Sequence, residues 1–309
     1  ALLKLMHATP STKRFWLPSP LLLFLLPALL LIVVFFVVPI GITGVISLTS
    51  LDYRFRWDFV GLANFFALWQ DTLIPRVLLN TGVYVFTTLL LFHLGLGLVL
   101  ALLTAALPAR PAVIFRTIWL LPRFTPSVVY ILLWRLLLDP TDYGLLNRLR
   151  AVLGAAPVDL LTQHPWSVIV LVNGLTGASL GLVIFTAAIE SIPRDLLRAA
   201  RVDGATTSQI VWRLILPLLR WPIMFVTTYQ TLSLLASFEA ILLLTNGGPF
   251  YATEVWTLHA YHHAFTFSAF GYGCAMTFVL VLIGSVVSLL YWRVFRFTRQ
   301  LQTPPIENG

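Results

Sequence analysis

Apolar residues along this chain fall into six long runs separated by shorter polar or charged stretches. The runs cover residues 20–48, 79–107, 112–138, 166–189, 221–246 and 268–292, each bounded by prolines, charges or polar clusters. Several of them reach or exceed the roughly 20 apolar residues that a helix needs to cross a hydrocarbon core. The pattern therefore predicts an all-α integral membrane protein with six transmembrane helices.

The composition agrees with a membrane environment. Of the 309 residues, 59% are hydrophobic and 10% are charged, with a mean hydropathy of +0.90, whereas about a quarter of the residues are charged in soluble domains. The formal net charge of +8 does not indicate nucleic acid, because the arginines lie scattered at the ends of the apolar runs. The single cysteine, Cys274, lies in the last run, where we interpret it as a packing residue. We therefore expect lipid, and not nucleic acid, around the chain.

Basic residues are divided unequally between the two sides of the predicted domain. Most lysines and arginines lie on the side of both termini and of loop 190–220, whereas the loops near 50–78 and 139–165 carry few. Because positive residues stay cytoplasmic, we expect a cytoplasmic segment at 1–19, a transmembrane domain at 20–297 and a cytoplasmic tail at 298–309. Loop 190–220 should then face the cytoplasm between the fourth and fifth spans.

Loop 190–220 has the pattern of two short helices joined by a bend. Ser191 is placed to cap a helix whose first turn holds Pro193, and Gly204 is a natural helix end. Thr206 and Gln209 have the T-x-x-Q spacing of a capping box, which starts a second helix. From the spacing alone, ordinary amphipathic helices at the membrane surface are an equally good interpretation.

The stretch "RAARVDGATTSQIVWRLILP" at 198–217 resembles the loop signature of ABC importer permeases, which reads EAA, three residues, G, nine residues, I-x-L-P. Arg198 stands where the family usually has Glu, and Leu214 stands where it usually has Ile. "FVGLANFFALWQD", "LLPRFTPSVVYILLWRLLLDPTDYGLLN" and "LLLTNGGPFYATEVWTLHAYHHAFTFSAFGYGCAM" are similar to other parts of the carbohydrate and glycerol-phosphate branch, which includes the maltose-type permeases. The resemblance covers nearly the whole chain.

The resemblance implies a permease subunit in the plasma membrane of a prokaryote that imports a sugar or sugar-like solute. It implies as partners a second homologous permease subunit, two ATP-binding-cassette ATPase subunits and an extracytoplasmic solute-binding protein. The residues that it places against the ATPase, in a coupling helix and the following bend, are Arg198, Ala199, Ala200, Asp203, Gly204, Leu216 and Pro217. Arg198 needs an acidic partner or a different orientation there, and Asp195, three residues earlier on nearly the same side, is a candidate for the acidic role. The chain has no G-x-x-x-x-G-K-[ST] motif, and its two lysines precede the first span. We therefore expect no bound cofactor and no enzymatic activity in this chain, with ATP and Mg²⁺ held by the partner ATPase.

Ionisable and polar residues inside the apolar runs are candidates for the substrate pathway, because burying them in lipid is unfavourable. Glu239 in the fifth run is the leading one, since a carboxylate can accept hydrogen bonds from sugar hydroxyls. Its alternative interpretation is a helix–helix hydrogen bond or an ion pair with Arg123 or Arg135. The further candidates for the pathway are Gln230, Tyr229, Phe238, Asn173, Trp134 and Tyr84.

His259, His262 and His263 lie close together before the last apolar run. Glu254 is the only carboxylate near them in sequence, and neighbouring histidines point apart on a helix. We therefore expect exposed histidines and no metal site.

Two other classes of function remain open from the sequence. A self-sufficient secondary transporter or channel is the main alternative, although proton coupling usually requires several ionisable groups in the membrane, and Glu239 and His93 are nearly alone. A membrane enzyme would need a convergent set of catalytic groups, and the sequence does not indicate one.

Overall fold

A computed structural model describes the backbone of residues 20–300 and the side chains of residues 24–294. The predicted segment 1–19 and residues 301–309 of the predicted tail 298–309 lie outside the described residues. Over this range the chain is helical, apart from an isolated β-bridge between Thr49 and Phe59. Four helices are long and apolar enough to cross a membrane, and two bent pairs of helices raise the number to six if each pair is one span. The predicted all-α membrane architecture is thus confirmed.

The four continuous spans are Phe24–Ile46, Ile74–Ala105, Pro165–Glu190 and Phe270–Val294. The bent pairs are Ala109–Phe124 with Ser127–Leu137, and Thr207–Leu218 with Arg220–Ala236. Shorter helices occupy the connections, at Ala63–Gln70, Leu145–Val152, Leu160–Gln163, Arg194–Val202, Glu239–Leu244 and Trp256–Tyr261.

The third apolar run does not form the single helix expected for residues 112–138. Its two helices meet at 98°, and the break consists of Thr125 and Pro126, which both have extended backbone angles. A residue before proline is disfavoured in the helical region, and proline itself has no N–H to continue the hydrogen-bond ladder. The chain therefore turns sharply here and starts a new helix at Ser127.

The fifth run is also interrupted, which differs from the helix expected over 221–246. The helix Arg220–Ala236 ends at Ser237, whose backbone is extended, and Glu239–Leu244 begins after Phe238. Glu239 is consequently the first residue of a new helix instead of a residue in the middle of a span. The polar residues Ser127 and Glu239 thus each begin a helix after a break.

The second and fourth spans pack closely through glycines. A Cβ atom on Gly177 would overlap His93 Nε2, and one on Gly181 would overlap the His93 carbonyl oxygen. Gly97 of the second span faces Gly181 across the same contact. Small residues let membrane helices approach closely where apolar burial between helices gives little driving force. This pair of spans forms the centre around which the broken helices are arranged.

The first span lies apart from that centre. None of the 18-residue apolar window that defines Phe24–Ile46 is buried inside the chain. Its large apolar side chains, such as Phe35 and Phe36, are exposed. An all-round apolar helix of this kind suits a hydrocarbon environment.

Candidate functional site

Loop 190–220 begins with the helix Arg194–Val202, whose start differs from the prediction. Pro193 occupies the N-cap position without a side-chain cap. The predicted cap by Ser191 is wrong, because the Ser191 hydroxyl donates instead to the carbonyl of Ala188 at 2.7 Å. Asp195 lies in the first turn, where a negative charge is favourable near the positive end of the helix dipole.

The end of this helix confirms the predicted role of Gly204 as a helix stop. Gly204 has φ +79°, a left-handed conformation that other residues rarely adopt. The Gly204 N–H donates to Arg201 O at 3.1 Å, and the Ala205 N–H donates to Ala200 O at 3.0 Å. These two bonds form a Schellman motif, which satisfies the last carbonyls of the helix. The chain is thereby turned into the next helix within three residues.

The second helix of the loop starts with the predicted capping box. The Thr206 N–H donates to Gln209 Oε1 at 2.8 Å, and the Gln209 N–H donates to Thr206 Oγ1 at 3.3 Å. The helix continues through Pro217 to Leu218 and meets Arg220–Ala236 at 64°. Loop 190–220 is therefore a helix, a glycine bend and a second helix that leads into the fifth run.

The surface of the loop is charged and largely exposed. Arg198 Nη1 lies 3.1 Å from Asp195 Oδ1, and both side chains are open to solvent. Ala199, Asp203, Gly204 and Pro217 are also exposed, whereas Ala200 and Leu216 are half-buried. Ala200 packs against the apolar cluster that contains Ile210 and Ile215. Leu196, Ala200 and Gly204, which are spaced four residues apart, are thus only partly exposed as a group.

A cavity of about 450 Å³ lies within this loop. Asp203, Gly204 and Ala205 line it at the bend, and Gln209 and Arg213 line it on the second helix. The loop therefore presents both a projecting charged helix and a recess beside the glycine bend.

A second cavity, of about 360 Å³, lies at the two helix breaks. Ser127 and Tyr130 line it after the first break, and Ser237 and Glu239 line it at the second. Asn173 of the fourth span completes the polar part of the wall. The Ser127 hydroxyl donates to Glu239 Oε2 at 2.7 Å, so the carboxylate joins the two broken helices and remains exposed to the cavity.

Neither of the arginines considered as partners of Glu239 pairs with it. Arg123 lines the same cavity but forms no ion pair with Glu239 among the described residues. Arg135 donates to the carbonyl of Leu243 at 3.1 Å. The structure therefore contains the helix–helix hydrogen bond of Glu239 and not the ion pair.

A group of hydroxyl and amide side chains supports the cavity wall from behind. The Asn173 amide donates to Tyr84 Oη and, at 3.3 Å, to Ser237 Oγ. Tyr84 Oη also donates to Ser237 Oγ at 3.3 Å, and Tyr84 itself is buried. Asn173 and Tyr84 thus lie together, with only Asn173 lining the cavity.

The other predicted pathway residues do not line this cavity. Buried Gln230 donates to the carbonyl of Gly177 at 3.0 Å. Tyr229 is half-exposed and stacks on Phe225, Phe238 packs against Tyr261, and Trp134 packs edge-on against Tyr130. Sequence reasoning missed the lining residues Ser127, Tyr130, Thr176 and Ser237. The signal for Ser127 was present in the preceding Pro126, whereas nothing in the sequence marked the break at Ser237.

The three histidines are not exposed as expected. His259 is 2% exposed, and His262 and His263 are half-buried. The preceding segment is held against the second span, because the Asn80 amide donates to Tyr251 O at 3.1 Å and to Glu254 O at 3.0 Å. This folding back buries the helix Trp256–Tyr261, a tertiary effect that local sequence does not reveal.

Comparison with known proteins agrees with this architecture. Residues 94–300 match the family described as "binding-protein-dependent transport system inner membrane component". The trehalose/maltose transport system permease protein of Thermococcus litoralis is 31% identical over 90% of this chain and 94% of its own length. The lactose transport system permease protein of Rhizobium radiobacter is 28% identical over 89% and 93%.

A further relative is the sn-glycerol-3-phosphate transport system permease protein of Yersinia enterocolitica, with 30% identity over 92% of this chain and 95% of the relative. Among solved structures, a chain of a bacterial ABC transporter involved in the import of alginate superposes with a TM-score of 0.77. That match has 24% identity and covers 92% of this chain and 96% of the other, and it supports the fold.

The family match extends over most of the chain, from the middle of the second span to the end of the last described helix, and it includes loop 190–220 and both helix breaks. The chain belongs to the family of inner membrane permease components of binding-protein-dependent ABC transport systems.

Proposed function

We propose that this chain forms one half of the translocation pathway of an ATP-driven importer for sugars or sugar-like solutes. The observation that carries the proposal is the cavity at the two helix breaks, where Glu239, Ser127 and Asn173 offer hydrogen-bonding groups inside an otherwise apolar helix assembly. A carboxylate, a hydroxyl and an amide suit a polyhydroxylated solute, because they accept and donate hydrogen bonds. The solutes named for the relatives, which include trehalose, maltose and lactose, support the same class.

The remaining wall of the pathway comes, in this proposal, from a second homologous permease subunit. The pathway candidates Glu239, Asn173 and Tyr84 lie at or just behind one open cavity. Gln230, Tyr229, Phe238 and Trp134 lie outside this cavity and remain candidates for other parts of the pathway. An extracytoplasmic binding protein delivers the solute to this pathway.

In this proposal the chain spans the plasma membrane of a prokaryote six times, with each bent pair as one span. Both termini lie in the cytoplasm, which the distribution of basic residues supports.

Loop 190–220 acts, in this proposal, as the element that couples the spans to two partner ATPases, which hold ATP and Mg²⁺. The exposed side chains Asp195, Arg198, Ala199 and Asp203 form the docking surface, and Gly204 with Pro217 sets the direction of the two helices. Arg198 places a positive charge where the family usually has Glu, and Asp195, whose Oδ1 lies 3.1 Å from Arg198 Nη1, supplies an acidic group beside it. Ala200 connects this surface to the apolar cluster beneath it, and Leu216 is half-buried.

The test is purification of the full chain from native membranes, followed by reconstitution with and without the subunits that copurify. ATP-dependent uptake of radiolabelled trehalose, maltose, lactose or sn-glycerol 3-phosphate is expected only with an ATPase, a second permease and a solute-binding protein present. Uptake by proteoliposomes that contain this chain alone would instead support the secondary transporter or channel.

A further inference from the structure

Three side chains that are far apart in the sequence converge beside the last span. Ligand atoms of Asp71, His259 and His263 all lie within 4.8 Å of one another. Asp71 precedes the second span, and the histidines lie on the helical segment that begins at Trp256. His259 and His263 are four residues apart, which puts them on the same side of a helix. The carboxylate missing from the local sequence thus comes from nearly two hundred residues away.

The second observation is a buried nitrogen without a hydrogen-bond partner. His259 is 2% exposed, and its Nε2 makes no hydrogen bond. That atom lies 3.6 Å from Asp71 Oδ2, which is too long for a hydrogen bond. Such an atom is rare in proteins. A buried nitrogen that gives up its hydrogen bond to water and gains no other hydrogen bond is energetically unfavourable. A cation between His259 and Asp71 would satisfy the nitrogen.

The surroundings of His259 orient it as a ligand. Its other ring nitrogen, Nδ1, lies 3.2 Å from Oε1 of Glu254, a carboxylate that is 1% exposed. Because a carboxylate oxygen accepts hydrogen bonds, Nδ1 is the donor in this contact, and in that tautomer Nε2 is the nitrogen with the lone pair. A histidine that donates one N–H to a carboxylate while the other nitrogen faces a metal is a recurrent arrangement in metal sites.

Both carboxylate oxygens of Asp71 accept hydrogen bonds. The Leu73 N–H donates to Oδ1 at 2.8 Å, and the Tyr272 hydroxyl donates to Oδ2 at 3.0 Å.

We propose that Asp71, His259 and His263 form a binding site for a divalent transition-metal cation, with Zn²⁺ as the favoured ion. Two imidazoles and a carboxylate are a ligand set that Zn²⁺ accepts, with water in the fourth position. Tetrahedral ligands at about 2.0–2.2 Å from Zn²⁺ lie roughly 3.4 Å apart, so the three groups need only a small closure from their present spacing. The ion links three elements of the fold. They are the start of the second span, the helical segment that begins at Trp256, and the last span, which contributes Tyr272.

The experiment uses the full chain in lipid nanodiscs, purified with a tag that contains no histidine. After treatment with a chelator and its removal, Zn²⁺ is titrated against a competing indicator, and Co²⁺ is added separately to record its visible d–d absorption. One equivalent of tight Zn²⁺ per chain is expected, with a rise in the unfolding midpoint and a Co²⁺ spectrum of low coordination number. The absence of stoichiometric Zn²⁺ binding by the wild-type chain overturns the site.

Variants assign the binding to these residues. Asp71→Asn and His263→Gln are expected to weaken Zn²⁺ binding by at least about a hundredfold and to abolish the Zn²⁺-dependent stabilisation. Tyr272→Phe, which only loosens the orientation of Asp71, is expected to weaken binding by about tenfold to a hundredfold. His164→Gln is the matched control, since His164 is exposed at the start of the fourth span.

Unchanged affinity in both ligand variants, or an equal loss in His164→Gln, would show that the metal binds elsewhere. Because the unfolding midpoint without metal is measured for every variant, failure to fold is distinguished from loss of the ligand. The readouts need neither transport nor the partner subunits, so they stand apart from tests of the proposed transport function.

Discussion

The Ser127 hydroxyl donates a hydrogen bond of 2.7 Å to Glu239 Oε2, and each of these residues is the first of a helix that restarts after a break. Two interruptions more than a hundred residues apart in sequence thus meet at one carboxylate. The bond fixes the position of the Glu239 side chain, while the cavity of about 360 Å³ leaves it accessible. Substrate contact and helix–helix bonding are therefore both compatible with this residue, and they make different predictions.

Replacement of Glu239 is expected to reduce transport more than replacement of its partner. Glu239→Gln keeps the size of the side chain and its bond to Ser127, but it removes the charge that would bind a solute hydroxyl. Because a hydrogen bond to a charged group contributes about 1.5–3 kcal/mol, uptake per reconstituted complex should fall by at least about tenfold. Ser127→Ala removes the helix–helix bond and one neutral hydroxyl of the cavity wall, so it should reduce uptake by a smaller factor than Glu239→Gln. Equal losses in the two variants would assign Glu239 to structure.

Substitution of Gly204 is expected to uncouple ATP hydrolysis from transport. Gly204 has φ +79°, and a Cβ atom added to it would have no neighbouring atom within 4 Å. A bulky residue such as Leu therefore introduces strain of about 1–2 kcal/mol and projects into the docking surface. ATPase activity of the complex should lose its dependence on the binding protein, and uptake should drop several-fold.

Two controls separate strain from bulk at Gly204. Gly154 has φ +70° with equally open surroundings, so Gly154→Leu introduces similar strain outside loop 190–220 and should leave coupling intact. Gly204→Asn retains a side chain that tolerates the left-handed conformation and should have an intermediate effect. A Gly204→Leu complex that couples normally would argue against docking at this bend.

Any side chain at Gly177 is expected to disrupt the pairing of the second and fourth spans. A Cβ there would overlap His93 Nε2, so Gly177→Ala should destabilise the chain by about 3 kcal/mol, the upper range for overpacking. The unfolding midpoint in detergent measures the effect. Gly82→Ala, also within a span but with open space around it, should be neutral or slightly stabilising because alanine favours helices.

Asn80 is expected to contribute to stability through the loop that it anchors. Its amide donates to the carbonyls of Tyr251 and Glu254, so Asn80→Leu leaves two acceptors unpaired, at about 1–3 kcal/mol each if they stay buried. The unfolding midpoint should fall, and proteolysis between residues 246 and 256 should become faster. Gln70→Leu, a comparable amide-to-leucine change at an exposed position, should leave both measurements unchanged.

The local sequence was sufficient to predict the bend between the two helices of loop 190–220. The capping box at Thr206 and Gln209 and the helix end at Gly204 depend on residues within a few positions of one another, and both are present as predicted. The cap at Ser191 was predicted incorrectly. Pro193 occupies the N-cap position, and the Ser191 hydroxyl donates to the carbonyl of Ala188. Such short-range competition is difficult to resolve from spacing alone.

The sequence by itself determined that the chain is a helical membrane protein. The hydrophobicity of a segment of about 20 residues is a sum of local contributions, and that sum decides whether the segment can lie in the hydrocarbon core. Only the tertiary structure decided which polar groups meet. The break at Ser237 brings Glu239 to Ser127, and the return of the segment before Trp256 to the second span buries His259 beside Asp71. These contacts depend on how separate helices pack, because side chains far apart in the chain become neighbours only when the helices that carry them have a defined position and angle.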